Sequence, residues 1–197
     1  MERDPDRKDP LLTPADLAES FEPIIGQSVT LRPLRVDDQD IEHAFVSGLS
    51  PDTRHNRLLG GSVRITREYI ERLTTVDFSR DMALAAALML EGRELLIGVA
   101  RYVLDSGGRG CEFALVVADA WQGRGIGRRL MEKLIGVARA RGLERIYGDV
   151  LSTNRPMLEF CQRLGFVLGR NPDDATVTRT TFYFTLPENS TRVTREP

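Results

Sequence analysis

Apolar residues recur along this chain with two periods, and the change from one to the other lays out its elements. SVTLRPL alternates as a half-buried strand does, whereas in DDQDIEHAFVSGL the residues Ile41, Phe45 and Leu49 fall four apart, a helical stripe with acidic residues in its first turn. SPDTRHNRLL opens with an N-cap serine followed by proline and predicts a second, short helix. ITREYIERLTTV repeats the stripe through Ile65, Tyr69 and Leu73. Three apolar runs follow, MALAAALML, ELLIGVARYVLD and GCEFALVV, and the connections EGRE and SGGRG supply the glycines that antiparallel hairpins use. A long helix over about 125–140 then carries Ile126, Leu130, Leu134 and Val137 on one side and ends at Arg141 and Gly142. RIYGDVL predicts a strand, PMLEFCQRL a helix opened by Asn154 and Pro156, GFVLG a short strand, and VTRTTFYFTL a last alternating strand. The sum is an α+β fold, a mixed and mostly antiparallel central sheet flanked by helices. About four strands precede the glycine corner at 122–127 and about three follow it.

The flanks differ in composition. Residues 1–26 are rich in Asp, Arg and Pro, with LL at 11–12 and FEPII at 21–25 as apolar islands, and predict a loose arm; the tail over 187–197 is similar. One domain is expected between them, over 27–186, as suits a chain of 197 residues. Twenty-seven basic residues against 29 acidic ones leave a net charge of -2, which offers no electrostatic footprint for nucleic acid and disfavours a DNA-binding role. No segment has the roughly eighteen apolar residues of a membrane span, and MERDPDRKDPLLTPADLAES lacks the apolar centre of a signal peptide. A soluble cytoplasmic protein, monomer or homodimer, is expected. Cys111 and Cys161 sit in apolar stretches with neither CxxC spacing nor a nearby histidine pair, so both are expected to be reduced, packed thiols and no metal is expected.

The stretch LVVADAWQGRGIGRRLM raises the functional question, because each glycine in a helix interior costs about 1 kcal/mol relative to alanine. A strand that delivers the chain into a helix start through QGRGIG leaves backbone N–H groups unpaired and pointing one way. With the positive end of the helix dipole behind them, they form a site for a phosphate or pyrophosphate. A P-loop would need a lysine after the glycines, and none follows; a dinucleotide fingerprint would need GxGxxG in a βαβ unit, whereas this is GxGxG after antiparallel strands.

The pattern [QR]-x-x-G-x-[GA], here Gln122 to Gly127, resembles the acetyl-coenzyme A loop of the GNAT superfamily of N-acetyltransferases. NRPMLEFCQRLGF, from Asn154 to Phe166, resembles the next signature of that family, an asparagine opening a helix that closes in LGF. The element order matches as well, over about residues 28–186. The resemblance implies acetyl-CoA as co-substrate, its pyrophosphate held by the backbone amides of Gly123, Arg124, Gly125, Ile126, Gly127 and Arg128 behind Gln122. It implies a pantetheine arm paired with the backbone of Leu115, Val116 and Val117 as an added strand. Asn154 is either the N-cap of its helix or an amide turned toward the pantetheine, or both. Trp121 is expected to pack at the corner.

Acetyl transfer to an amine needs a neutral nucleophile and hence a base. In GCEFALVV the alternation puts Glu112, Ala114 and Val116 on one strand face and Phe113, Leu115 and Val117 on the other. A carboxylate leading an apolar strand is costly unless exposed or used, and partial burial would suit it to proton transfer near neutral pH. Taken alone, Glu112 is either a solvated strand-end glutamate paired with Arg101 or a general base; Asp119 and Asp149 stand behind it as weaker candidates. The resemblance selects the base, since protein acetyltransferases of this superfamily carry their glutamate at the matching place. Cys161 stands where many relatives have a tyrosine as acid, and an ordinary thiol is a poor substitute. Tyr102, Tyr147 and Tyr183 have no assigned role.

The amino-terminal half resembles the opening of the acetyltransferase domain in bacterial protein lysine acetyltransferases that modify acyl-CoA synthetases. RPLRVDD matches their strand-to-helix turn and LSPDTR, from Leu49 to Arg54, their next helix start, while His55, Asn56 and Leu58 replace aromatic residues. The resemblance implies a protein lysine as acceptor and an acyl-CoA synthetase as partner. Arg54 and Arg57 by themselves read as a solvated helix face. A small amine such as a polyamine or aminoglycoside is the alternative acceptor and would need an acidic pocket, to which Asp37, Asp38 and Asp40 could contribute. A non-catalytic acyl-CoA-binding module is the alternative of another class.

Overall fold

The computed structural model describes residues 17–24 and 26–184. In chain order its elements are β1 (Glu19–Ile24), β2 (Gln27–Pro33), α1 (Gln39–Gly48), α2 (Pro51–Arg57), α3 (Arg67–Thr74), β3 (Met82–Leu90), β4 (Arg93–Leu104), β5 (Gly110–Val117), α4 (Ile126–Ala140), β6 (Arg145–Leu151), α5 (Arg155–Arg163), β7 (Val167–Arg170) and β8 (Val177–Tyr183). The strands form one eight-stranded sheet in the order β1-β2-β3-β4-β5-β6-β8-β7. All neighbours are antiparallel except β5 and β6, which run parallel because α4 carries the chain back between them.

Strand β3 shows why the sheet has two covered faces. Met82, Leu84, Ala86 and Leu88 join Ile126, Leu130 and Leu134 of α4 in one core. Ala83, Ala85 and Ala87 join Phe45 and Leu49 in a second core on the opposite face. An unbroken apolar run is what a strand buried on both sides requires. The second face also holds charge: Arg32, 4% exposed, donates to both oxygens of Asp38 at 2.7 and 2.8 Å and to both of Glu94 at 2.9 Å. This buried ion pair anchors the turn from β2 into α1. Helix α2 starts as its sequence predicts, with Ser50 Oγ accepting from the Thr53 amide and Pro51 in the first turn.

The amino-terminal arm departs from expectation. Residues 19–24, predicted to be part of a loose arm over 1–26, form the edge strand β1 paired with β2, so the folded unit begins before residue 27. Phe21 packs on the α4 core with the Arg129 guanidinium 4.4 Å over its ring, and Glu19 pairs with Arg129 and Lys133. An edge strand buries one face only, and its polar residues are matched from α4, so composition alone concealed it. Residues 1–16 of that arm and the tail over 187–197 lie outside the described residues.

Candidate functional site

The parallel pair β5–β6 is joined only at Gly110–Arg145, Cys111–Ile146 and Glu112–Tyr147. Beyond Glu112 the two strands diverge: β5 stays paired with β4 as far as Val117, while β6 stays paired with β8. The β5 edge from Phe113 to Val117 therefore faces away from β4 with no strand beside it. The fork opens into a cleft of about 640 Å³. Its walls are Glu112 to Val117 of β5, Asp149 and Val150 of β6, and Asn154, Met157 and Phe160 at α5; Gln122, Gly123, Gly125, Gly127 and Arg128 border it at the corner into α4. On the opposite side stand Thr53, Asn56 and Arg57 of α2.

The glycine corner answers its sequence pattern. Gly123 (φ 73°) and Gly125 (φ 81°) adopt left-handed backbone that L side chains resist, and nothing lies within 4 Å of where a Cβ would point. Gly125 is the N-cap of α4, with no side-chain cap, and the first helical bond runs from the Arg129 amide to the Gly125 carbonyl. The amides of Ile126, Gly127 and Arg128 thus have no acceptor within the helix. No acidic side chain offsets them in the first turn, which carries Arg128 instead, so the corner suits an anion. Two loop residues lie off the cleft: the Ile126 side chain is in the core at 1% exposure, and Arg124 is stacked 5.4 Å over Trp121. The buried Ile126 can contribute backbone only. Trp121 packs on the core, as expected, and also borders the cleft.

Gln122 and Asp119 are used within the protein. Gln122 Nε2 donates to the Val117 carbonyl at 3.0 Å and to Thr53 Oγ1 at 3.3 Å. Asp119 accepts from the Ser50 amide and hydroxyl and from the Thr53 hydroxyl, and the Ser50 hydroxyl above all holds its carboxyl down at about 2. Together these bonds tie the start of α2 to the glycine corner. Asp149, the other weaker candidate for a base, is held by Arg179 and by Asn171 at 2.8 Å. Asn154 caps α5 by accepting from the Met157 amide at 3.3 Å, and it lines the cleft. Its amide group is the part left for a ligand.

Glu112 stands where the fork opens. It is exposed rather than partly buried. The pairing with Arg101 that belonged to the alternative reading of Glu112 does not occur: Arg101 lies opposite Ala114, donates to the Leu73 carbonyl and faces Glu42 at 3.8 Å. Glu112 has no hydrogen-bond or ion-pair partner among the described residues. Tyr147, its neighbour across the register, has its hydroxyl pushed up by burial first and by the Glu112 charge second. Cys161 lies in the core at 0% exposure, and burial pushes its thiol up to about 11; it does not line the cleft. Cys111 is likewise a buried free thiol. Among the described residues no cluster of His, Cys, Asp or Glu is placed to hold a metal, and no helix is long and apolar enough to cross a membrane.

Known proteins resemble this arrangement. The profile of the acetyltransferase (GNAT) family matches residues 61–166. The chain belongs to that family. It is 38% identical over 151 residues to an acetyltransferase of Pseudomonas aeruginosa, a match covering 77% of this chain and 81% of that protein. It is 36% identical over 145 residues to acetyltransferase Pat of Mycolicibacterium smegmatis, covering 72% of this chain and 42% of that one. The GNAT domain of S. lividans PAT superimposes with a TM-score of 0.76 at 28% identity, over 87% of this chain and 99% of that domain. This GNAT member is an acetyl-CoA-dependent N-acetyltransferase, with acetyl-CoA as co-substrate rather than resident cofactor.

Sequence reasoning missed two features of this acetyltransferase. The first is the brace from Asp119 and Gln122 to Ser50 and Thr53, which joins segments almost seventy positions apart and leaves no local signal. The second is Glu42, 2% exposed, beside the apolar stripe of α1. Its neighbours Ile41 and Phe45 predicted the helix but not that its charged side would also be covered.

Proposed function

We propose that this acetyltransferase moves the acetyl group of acetyl-CoA to the side-chain amine of a protein lysine, with Glu112 as general base. The observation that carries this reading is the position of Glu112 at the fork, unpaired, where the open edge of β5 begins. The pyrophosphate rests on the amides from Gly123 to Arg128, and the pantetheine runs along Leu115 to Val117 toward Glu112. Asn154 turns its amide to the same arm. Glu112 takes a proton from the lysine ammonium, directly or through water; the neutral amine attacks the thioester carbonyl carbon, the C–S bond breaks, and the sulfur leaves as thiolate. The half-buried Arg57 guanidinium on the acceptor side favours the neutral amine over the ammonium.

Resemblance to the lysine acetyltransferases supports a protein acceptor, an acyl-CoA synthetase being the class to try first. The small-amine reading needs an acidic pocket. Asp38 is consumed by Arg32, neither Asp37 nor Asp40 borders the cleft, and the acceptor side carries Arg57. A pure binding module has no use for an unpaired carboxylate at the fork. The test is thiol release from acetyl-CoA with acyl-CoA synthetases, other proteins and polyamines, for wild type and Glu112→Gln. Turnover on a protein that collapses in the variant while coenzyme binding persists is the expected result. Coenzyme binding without acceptor-dependent release, or an undiminished variant, would overturn it.

A further inference from the structure

Behind the cleft, on the α1–α3 face of the sheet, lies a chamber of about 50 Å³ that shares Arg57, Ala114 and Val116 with it. Arg54 and Arg57 line it from α2, Tyr69 from α3, Glu42 from α1 and Arg101 from β4. Both α2 arginines are partly buried, so they do not form the solvated helix face that the sequence suggests. They sit three positions apart, on one face of the helix, where like charges repel. Neither has a hydrogen-bond or ion-pair partner among the described residues. Arg101 is the cation that Glu42 faces, at 3.8 Å, while Glu42 Oε2 is buried without any partner. The chamber therefore holds three guanidiniums against one carboxylate. Burial depresses the ionisation of Arg57 and of Arg101, and the nearby charges of Glu42 and, at Arg57, Glu112 offset it only in part.

We propose that Arg54 and Arg57 form a carboxylate-binding subsite at the thioester end of the cleft, filled by an acidic group next to the reacting centre. One source is an acidic side chain beside the acceptor lysine; the other is the acyl chain of a dicarboxylic acyl-CoA. Arg57, shared by cleft and chamber, makes the first contact, and Arg54 adds the second cation. The direction of the coenzyme, and so the word thioester, rests on the function proposed above; the unpaired guanidiniums do not.

Calorimetry on the full chain reads the subsite apart from turnover. One arm compares succinyl-CoA with acetyl-CoA. The other, on protein saturated with CoA, compares the capped tripeptide Glu-Lys-Glu with Gln-Lys-Gln. Wild type is expected to bind the acidic probe of at least one pair about tenfold more tightly, and the arm that shows it identifies the source. Arg57→Gln should bring the ratio to within about twofold while Arg57→Lys keeps part of it; unchanged acetyl-CoA affinity certifies the fold. Equal binding in both arms for wild type, or a tenfold ratio that survives in the Arg54→Gln, Arg57→Gln double variant, overturns the proposal. An intact acidic preference with no thiol release on either peptide would count against lysine transfer and leave the subsite standing.

Discussion

The two sides of the cleft are built by different means. On the α4–α5 side the walls are backbone and apolar side chains: a helix start with unpaired amides, an open strand edge, and Met157 and Phe160 over the Leu130–Leu134 core. On the α1–α3 side the same sheet meets small alanines and a set of charges, Arg32 with Asp38 and Glu94, Glu42 with Arg101, and the unpaired Arg54 and Arg57. Main-chain recognition depends on one contiguous stretch of chain adopting one conformation. Side-chain recognition of the second kind depends on residues far apart in sequence arriving together, and each buried charge is tolerable only while its partner is there.

The largest effect should come from the charged side. Arg32→Ala leaves Asp38 buried without its cation and should cost about 4 kcal/mol in urea unfolding, against about 3 kcal/mol for Leu130→Ala, which opens a cavity under α4. If Arg32→Ala cost less than Leu130→Ala, the charged face would be contributing less to stability than its burial implies. Glu112→Gln should lower kcat/KM by about a hundredfold or more, with acetyl-CoA affinity within about twofold of wild type. Gly125→Ala should do the converse, weakening acetyl-CoA about tenfold through left-handed strain of about 1–2 kcal/mol, and leaving the pH dependence of the residual turnover as in wild type.

The smallest effect lies on the brace between the two sides. Asp119 has a folded-state carboxyl near 2, below its ordinary value near 4, so its contribution is present above about pH 4 and is lost as the pH falls toward 2. Because the group is mostly exposed, Asp119→Asn should cost less than about 1 kcal/mol at pH 7, and the gap from wild type should close between pH 4 and 2. A gap that stayed constant across that range would show that the hydroxyl bonds, not the charge, carry the tie.

How much could be read beforehand follows the same division. Strands β2 to β8 and helices α1 to α5 were legible, most of them from a repeated period and α2 from its N-cap serine and proline. The glycine corner was legible too, because its conformation is a local demand on two residues, Gly123 and Gly125. Glu112 was legible as a residue but not as an environment: alternation told which face it takes, whereas its exposure is set by what the tertiary fold packs over that face. Strand β1 was hidden by its polar composition, and its place comes from Phe21 and Glu19 meeting α4 more than a hundred positions away.

By itself the sequence determined the order of elements, the covered faces of β3 and the unpaired amides at the start of α4, all of which depend on neighbours within a turn or a pleat. Only the tertiary structure decided the fork at Glu112, the withdrawal of Arg101 to Glu42, and the meeting of Arg54 and Arg57 with a buried chamber. Those outcomes rest on Coulomb and hydrogen-bond partners brought together by the sheet, and no local pattern along a chain encodes which distant charge will face which.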